Sequence, residues 1–144
     1  MVIGLDTNIL CYALDPAYPE HEKLKHILFG LSSDKRVAIN PTILHEAYHT
    51  LVFGQKFTPS EARGRLTMIM QHPYIEFYNQ TRRICLIGIN LAVKHGFGGR
   101  DAIIIANFVG NKISIMYTHD QELLSKKKIT WKNHSIELKD PLLE

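Results

Sequence analysis

Strands alternating with helices along 144 residues predict an α/β fold, a mainly parallel central sheet flanked by helices. Three observations carry that expectation. Short apolar runs rich in strand formers recur at 2–5, 36–40, 75–78 and 113–117. Apolar residues at helical spacing fill the intervals between them. No Asn-Gly signal joins two of the runs into a tight hairpin. The length suits one domain over residues 1–144, able to bury about 70% of its unfolded surface without a disulfide or metal.

Val2-Ile-Gly-Leu5 is the first strand and stops at Asp6-Thr7-Asn8, residues whose side chains bond nearby backbone amides and so favour caps and turns. Ile9 to Leu14 reads as a short helix closed by Asp15-Pro16. Leu24, Ile27, Leu28 and Leu31 follow helical spacing. Arg36 to Asn40 is the second strand, and Asn40-Pro41 then opens a helix with Asn as cap and Pro at the first position. That helix carries Leu44, Ala47, Tyr48 and Leu51 and stops near Gly54. Thr58 and Glu61 form a capping box that starts another helix, running through Met70.

Ile75 to Tyr78 is the third strand. Ile84, Ile87 and Leu91 stripe a helix ending at Gly96-Phe-Gly-Gly99, and Asp101 begins a further, largely apolar helix, DAIIIANFVGN. Ile113 to Tyr117 is the fourth strand, followed by Thr118-His119-Asp120 and a short helix to Lys126. Trp131 and Ile136-Glu-Leu138 are read as a final edge strand.

Composition excludes several classes. At 45% hydrophobic and 22% charged residues the chain is globular, neither disordered nor fibrous. No apolar run reaches the roughly 18 residues that span a bilayer, and MVIGLDTN lacks the basic start and apolar stretch of a signal peptide. Cys11 and Cys85 both lie in apolar stretches, which reads as two reduced core thiols in a cytoplasmic protein. A net charge of +3 tolerates a nucleic-acid partner without arguing for one.

Functional groups in open parallel sheets gather beyond the carboxyl ends of the strands. Asp6 follows the first strand and Asp120 follows the fourth. Glu46 lies in the helix after the second strand, and a helical side chain leans toward its own N-terminus, back to that same edge. Asp101 follows the GFGG segment at a helix start. Taken singly, Asp101 and Asp120 read equally as helix caps, and Glu46 as a solvated helix residue. Four carboxylates sharing a pocket repel one another unless a cation sits among them, and their hard oxygens suit Mg²⁺ or Mn²⁺. Two such ions about 4 Å apart hold the attacking and leaving oxygens of a phosphodiester, which is nuclease chemistry.

LDTNIL around Asp6, PTILHEAY around Glu46, GRDAIIIAN around Asp101 and YTHDQEL around Asp120 give the chain its likeness. Over essentially its whole length it resembles the PIN domain family, and in size and layout the VapC-type ribonuclease toxins of toxin–antitoxin pairs. The resemblance implies that Asp6, Glu46, Asp101 and Asp120 are the catalytic, metal-binding acids, holding Mg²⁺ or Mn²⁺ and activating water for RNA cleavage. It implies that Asn8 and Thr118 support them, and that the product carries a 5′-phosphate and a 3′-hydroxyl. Leu123 stands where an aromatic residue is common and Ile105 where a small one is common, and neither change removes a ligand.

Other signals compete. His45-Glu46-Ala47-Tyr48-His49 is a literal H-E-x-x-H, the spacing that puts two imidazoles on one helix face in zinc peptidases. A zinc peptidase needs a third protein ligand, which no later helix offers, and leaves Asp6, Asp101 and Asp120 unused. A non-catalytic PIN-like RNA-binding scaffold is a further alternative that the intact acids oppose. Lys126-Lys127-Lys128 and Arg82-Arg83 read as phosphate contacts or as solvated charge, and Trp131 as edge packing. The apolar helices over Leu24–Leu31 and Leu66–Met70 offer surface for a homodimer or for an antitoxin peptide.

Overall fold

The computed structural model describes residues 1–144. Its centre is strand β1 (Val2–Leu5), which lies between β2 (Arg36–Ile39) and β4 (Ile115–Tyr117), parallel to both. Beyond β2 lies β3 (Ile75–Phe77), and beyond β4 lies β6 (His134–Lys139), each again parallel to its neighbour. Only the outermost strand, β5 (Lys128–Trp131), runs antiparallel, paired with β6, so the sheet order is β3-β2-β1-β4-β6-β5. The expected mainly parallel α/β sheet is therefore present.

Local chemistry explains the helix starts. Helix α1 (Thr7–Leu14) is capped by Asp6, whose carboxylate accepts the Thr7 N–H. Short helices α2 (His21–Leu24) and α3 (His26–Phe29) follow, with Leu24 and Ile27 buried. The expected single helical stripe over this segment is thus two separate turns joined at Lys25. Helix α4 (Pro41–His49) has Asn40 as its cap and Pro at its start, and continues through a π-helical turn, Thr50–Gly54. Thr58 and Glu61 complete the capping box of α5 (Pro59–Gln71). Helix α6 (Arg82–His95) ends on Gly96 in the left-handed region, φ 74°, a conformation that glycine adopts without strain. Helices α7 (Gly99–Gly110) and α8 (Gln121–Lys126) follow, and a 3₁₀ turn, Pro141–Leu143, comes after β6.

Two further expectations need correction. The last strand is not a lone edge strand but a hairpin, whose second arm β6 lies inside the sheet. Its turn, Lys132-Asn133, holds Lys132 at φ 54°, a conformation uncommon for a residue with a side chain, so the usual glycine signal is missing. Cys85 is exposed, while Cys11 is wholly buried and burial pushes its thiol up to about 12. Exposed Phe29, Met68 and Met70 give both expected segments an apolar surplus, and α6 adds another. On α6, Leu86, Ile89 and Val93 are 57%, 65% and 83% exposed, whereas Leu66 and Ile69 of α5 are buried beside exposed Met68.

The position of α7 against the sheet depends on Gly4. A Cβ there would meet the Phe108 ring at 2.7 Å, closer than packed atoms tolerate, so the absent side chain lets the wholly buried Phe108 lie against β1. This contact fixes α7, and hence Asp101 at its start, relative to the end of β1. No helix is long and apolar enough to cross a membrane.

Candidate active site

The site forms where β1 and β4 end. The main-chain ladder continues one step past both strands, as the Asp6 N–H donates to Tyr117 O at 2.9 Å and the Thr118 N–H to Lys139 O at 2.9 Å. Asp6 and Thr118 are thereby set side by side at the carboxyl edge, where parallel sheets place their functional groups. The Thr118 hydroxyl donates to Asp6 Oδ2 at 2.7 Å, and the Thr7 N–H donates to Asp6 Oδ1 at 2.8 Å. Asp6 is 2% exposed. Burial raises its pKa, while the bonds from Thr118 and Thr7 and the charge of Arg100 work in the opposite direction.

Glu46 reaches the same edge from α4. Its Oε1 accepts the Thr7 hydroxyl at 2.7 Å, so one threonine bonds Asp6 through its amide and Glu46 through its side chain. Asp101 projects from the first turn of α7. Between these acids lies Arg100, whose Nε binds Glu46 Oε2, whose Nη1 binds Asp101 Oδ1, and whose Nη2 stands 3.7 Å from Asp6 Oδ1. Three of the four expected acids thus converge on one guanidinium. Burial lowers the Arg100 pKa, but the bond to Glu46 and the charges of Glu46, Asp6 and Asp101 outweigh it and hold the group above its ordinary value. Burial is also the largest influence on Asp101 and raises its pKa, with Arg100 opposing and the nearby charge of Asp120 adding to the rise.

Asp120 stands at the margin. Its Oδ1 accepts the N–H groups of Glu122 and Leu123 and caps α8, and its own N–H donates to the Thr118 hydroxyl at 3.1 Å. Thr118 therefore links Asp120 to Asp6. Asn8 is exposed; the hydroxyl that reaches Glu46 belongs to its neighbour Thr7. Thr7 and Arg100 are the two site residues that reasoning from the sequence missed. Both were signalled by adjacency alone, Thr7 directly after Asp6 and Arg100 directly before Asp101 in GRD.

The H-E-x-x-H motif does not assemble. His45 and His49 are exposed, His45 Nδ1 lies 2.9 Å from Pro41 O, and His49 packs on the Phe53 ring at 4.9 Å. Glu46 turns instead toward Thr7 and Arg100. Nowhere do three His, Cys, Asp or Glu side chains converge closely enough to ligate one ion. At the acids, the Arg100 guanidinium stands between Asp6, Glu46 and Asp101. The donor set is nevertheless one that a hard divalent cation takes, four carboxylates on a sheet edge with a positive charge already held between three of them. Of the basic residues considered beside the site, Lys126 lies over the Phe97 ring at 5.9 Å and Arg83 donates to Gly110 O.

Residues 3–129 match the PIN domain family. No curated protein sequence matches the chain. Among solved structures, the chain is similar to VapC20 of Mycobacterium tuberculosis, described as a sarcin-ricin loop cleaving toxin. The two are 16% identical, with a TM-score of 0.71 over 86% of this chain and 94% of that one. It is also similar to VapBC2 of Rickettsia felis bound to a DNA fragment from their promoter, at 15% identity and TM-score 0.66, covering 97% and 98% of the two chains. A toxin–antitoxin complex from Klebsiella pneumoniae matches at 18% identity and TM-score 0.61, covering 82% and 86%. At these identities the likeness is one of fold.

Proposed function

Because the chain belongs to the PIN domain family, we propose that it is a metal-dependent endoribonuclease and the toxin of a toxin–antitoxin pair. One observation carries the reading. Asp6, Glu46 and Asp101, far apart in sequence, surround a single positive charge at the carboxyl edge of the sheet. So costly a concentration of like charge is retained where a cation is to be bound.

In this reading Asp6, Glu46, Asp101 and Asp120 hold Mg²⁺ or Mn²⁺. When bound, the metal offsets the charge of the carboxylates and polarises the phosphodiester toward attack by water. The remaining work belongs to the chain. Thr7 and Thr118 fix both oxygens of Asp6, and Thr7 fixes Glu46, so these carboxylates are oriented before any ligand arrives. Asp101 and Asp120 enter from α7 and α8 and complete the acidic edge. Cleavage leaves a 5′-phosphate and a 3′-hydroxyl, as the family resemblance implies.

The partners follow the same reading: an RNA substrate, a second copy of the chain, and an antitoxin. The neighbouring toxin–antitoxin structures support the last of these, and the exposed Leu86, Ile89 and Val93 of α6 support an apolar interface. We place the protein in the cytoplasm and read residues 1–144 as a single PIN domain. The test is cleavage of a short single-stranded RNA with Mn²⁺ present. Wild type cuts, chelation stops cutting, and Asp6→Asn is inactive with a native circular dichroism spectrum. Full activity in Asp6→Asn overturns the site.

A further inference from the structure

Arg100 is the residue for which the family reading has no use, and its placement is unusual. It sits in the first turn of α7, where the helix dipole disfavours a positive charge. The cap residue before it, Gly98, supplies no side-chain bond to the helix start. Nε, Nη1 and Nη2 all face carboxylates, those of Glu46, Asp101 and Asp6 in turn. The guanidinium makes no other hydrogen bond. Whatever takes those carboxylates removes everything that holds it.

We propose that Arg100 is a resident cation which competes with the divalent metal for Asp6, Glu46 and Asp101, and which on release binds the RNA phosphate beside the metal. The inference rests on the nuclease reading above. Two positive groups cannot share the same three carboxylates at contact distance, since their mutual repulsion adds to the loss of ligands. The side chain has somewhere to go. It is 44% exposed, and the space around Gly98 and Gly99 is open, with nothing within 4 Å of where a Cβ would lie. Its stem stays anchored on the same turn as Asp101, so the released guanidinium remains at the rim of the acidic edge. There its planar fork matches phosphate oxygens in pairs. Metal loading thus converts a group that neutralises the site into one that binds substrate.

Mn²⁺ titration by calorimetry on the full chain, wild type against Arg100→Met, tests the competition without reference to activity. Arg100→Met keeps the stem and removes the charge, and it is expected to bind Mn²⁺ about tenfold tighter. Arg100→Lys keeps the charge and stays near wild type. With Mn²⁺ saturating, Arg100→Met raises KM for a short RNA more than it lowers kcat. Equal Mn²⁺ affinity in wild type and Arg100→Met overturns the competition, and an unchanged KM overturns the phosphate role. An absence of Mn²⁺ binding in both proteins overturns the nuclease reading as well, an outcome distinct from equal binding.

Discussion

Thr118 donates its hydroxyl to Asp6 Oδ2 at 2.7 Å while accepting the Asp120 N–H at 3.1 Å, so one buried side chain joins the ends of β1 and β4. The bond runs to a carboxylate out of water, where such bonds are strong, and its loss leaves Asp6 Oδ2 without a donor. Thr118→Val keeps the shape and deletes both interactions. It is expected to destabilise the fold by about 1–3 kcal/mol, measured as a lowered urea midpoint at neutral pH. An unchanged midpoint would show that Asp6 does not depend on this hydroxyl.

Asp101 carries a pH signature. Its pKa is raised in the fold, chiefly by burial, so it binds protons more readily folded than unfolded. Its contribution to stability is fully present below the ordinary Asp value and is lost as pH rises through the raised folded value. Without metal, Asp101→Asn therefore unfolds at higher urea than wild type at neutral pH. The gap closes as pH falls below the ordinary Asp value of 3.8. Added Mn²⁺ raises the melting temperature of wild type more than that of the variant, because a ligand has been removed. Identical Mn²⁺ responses would make Asp101 a helix-start residue only.

Gly4 and Gly64 are expected to respond to alanine in opposite senses. At Gly4 the new methyl meets the Phe108 ring at 2.7 Å, an overpacking that costs about 1–3 kcal/mol. At Gly64, inside α5, nothing lies within 4 Å of the new atom, and alanine is better in a helix by roughly 0.5–1 kcal/mol. Thermal unfolding of the pair checks both signs. A destabilised Gly64→Ala would contradict the open environment of that helix face.

His45→Ala combined with His49→Ala is expected to leave Mn²⁺-dependent RNA cleavage largely intact, since both rings are exposed and face Pro41 and Phe53 instead of the acids. Stoichiometric zinc in the purified wild type, lost together with activity in the double variant, would restore the peptidase reading.

The fold was legible wherever one short-range signal decided an element. Asn40-Pro41 and Thr58-Pro59-Ser60-Glu61 encode their helix starts within four residues, and both caps form as the sequence implies. The hairpin was not legible, because its turn relies on Lys132 at positive φ, imposed by strand pairing and not by residue preference. Interior β6 looked like an edge for the same reason, since nothing local records which strand lies beside β4. At the site, the pattern of acids was readable from strand ends and helix direction. Arg100 was not, because an arginine in a helix start carries no local mark of which carboxylates it will meet. The repulsion expected among bare acids is accordingly softened in the structure, where Arg100 stands between three of them and burial is the larger influence on Asp6 and Asp101.

The central place of β1 has a consequence for folding. Asp6 lies 112 residues before its Oδ2 donor, and the strand on its far flank is likewise distant in sequence, at residues 115–117. Main-chain pairing with β2 can form early, because only the intervening helices must be looped out, but the other half of the cleft waits for β4. Before β4 is in place, Asp6 has its local Thr7 N–H bond at Oδ1 but no donor at Oδ2. The interleaved strand order thus makes completion of the site depend on a pairing of long sequence separation, the kind that forms late in folding.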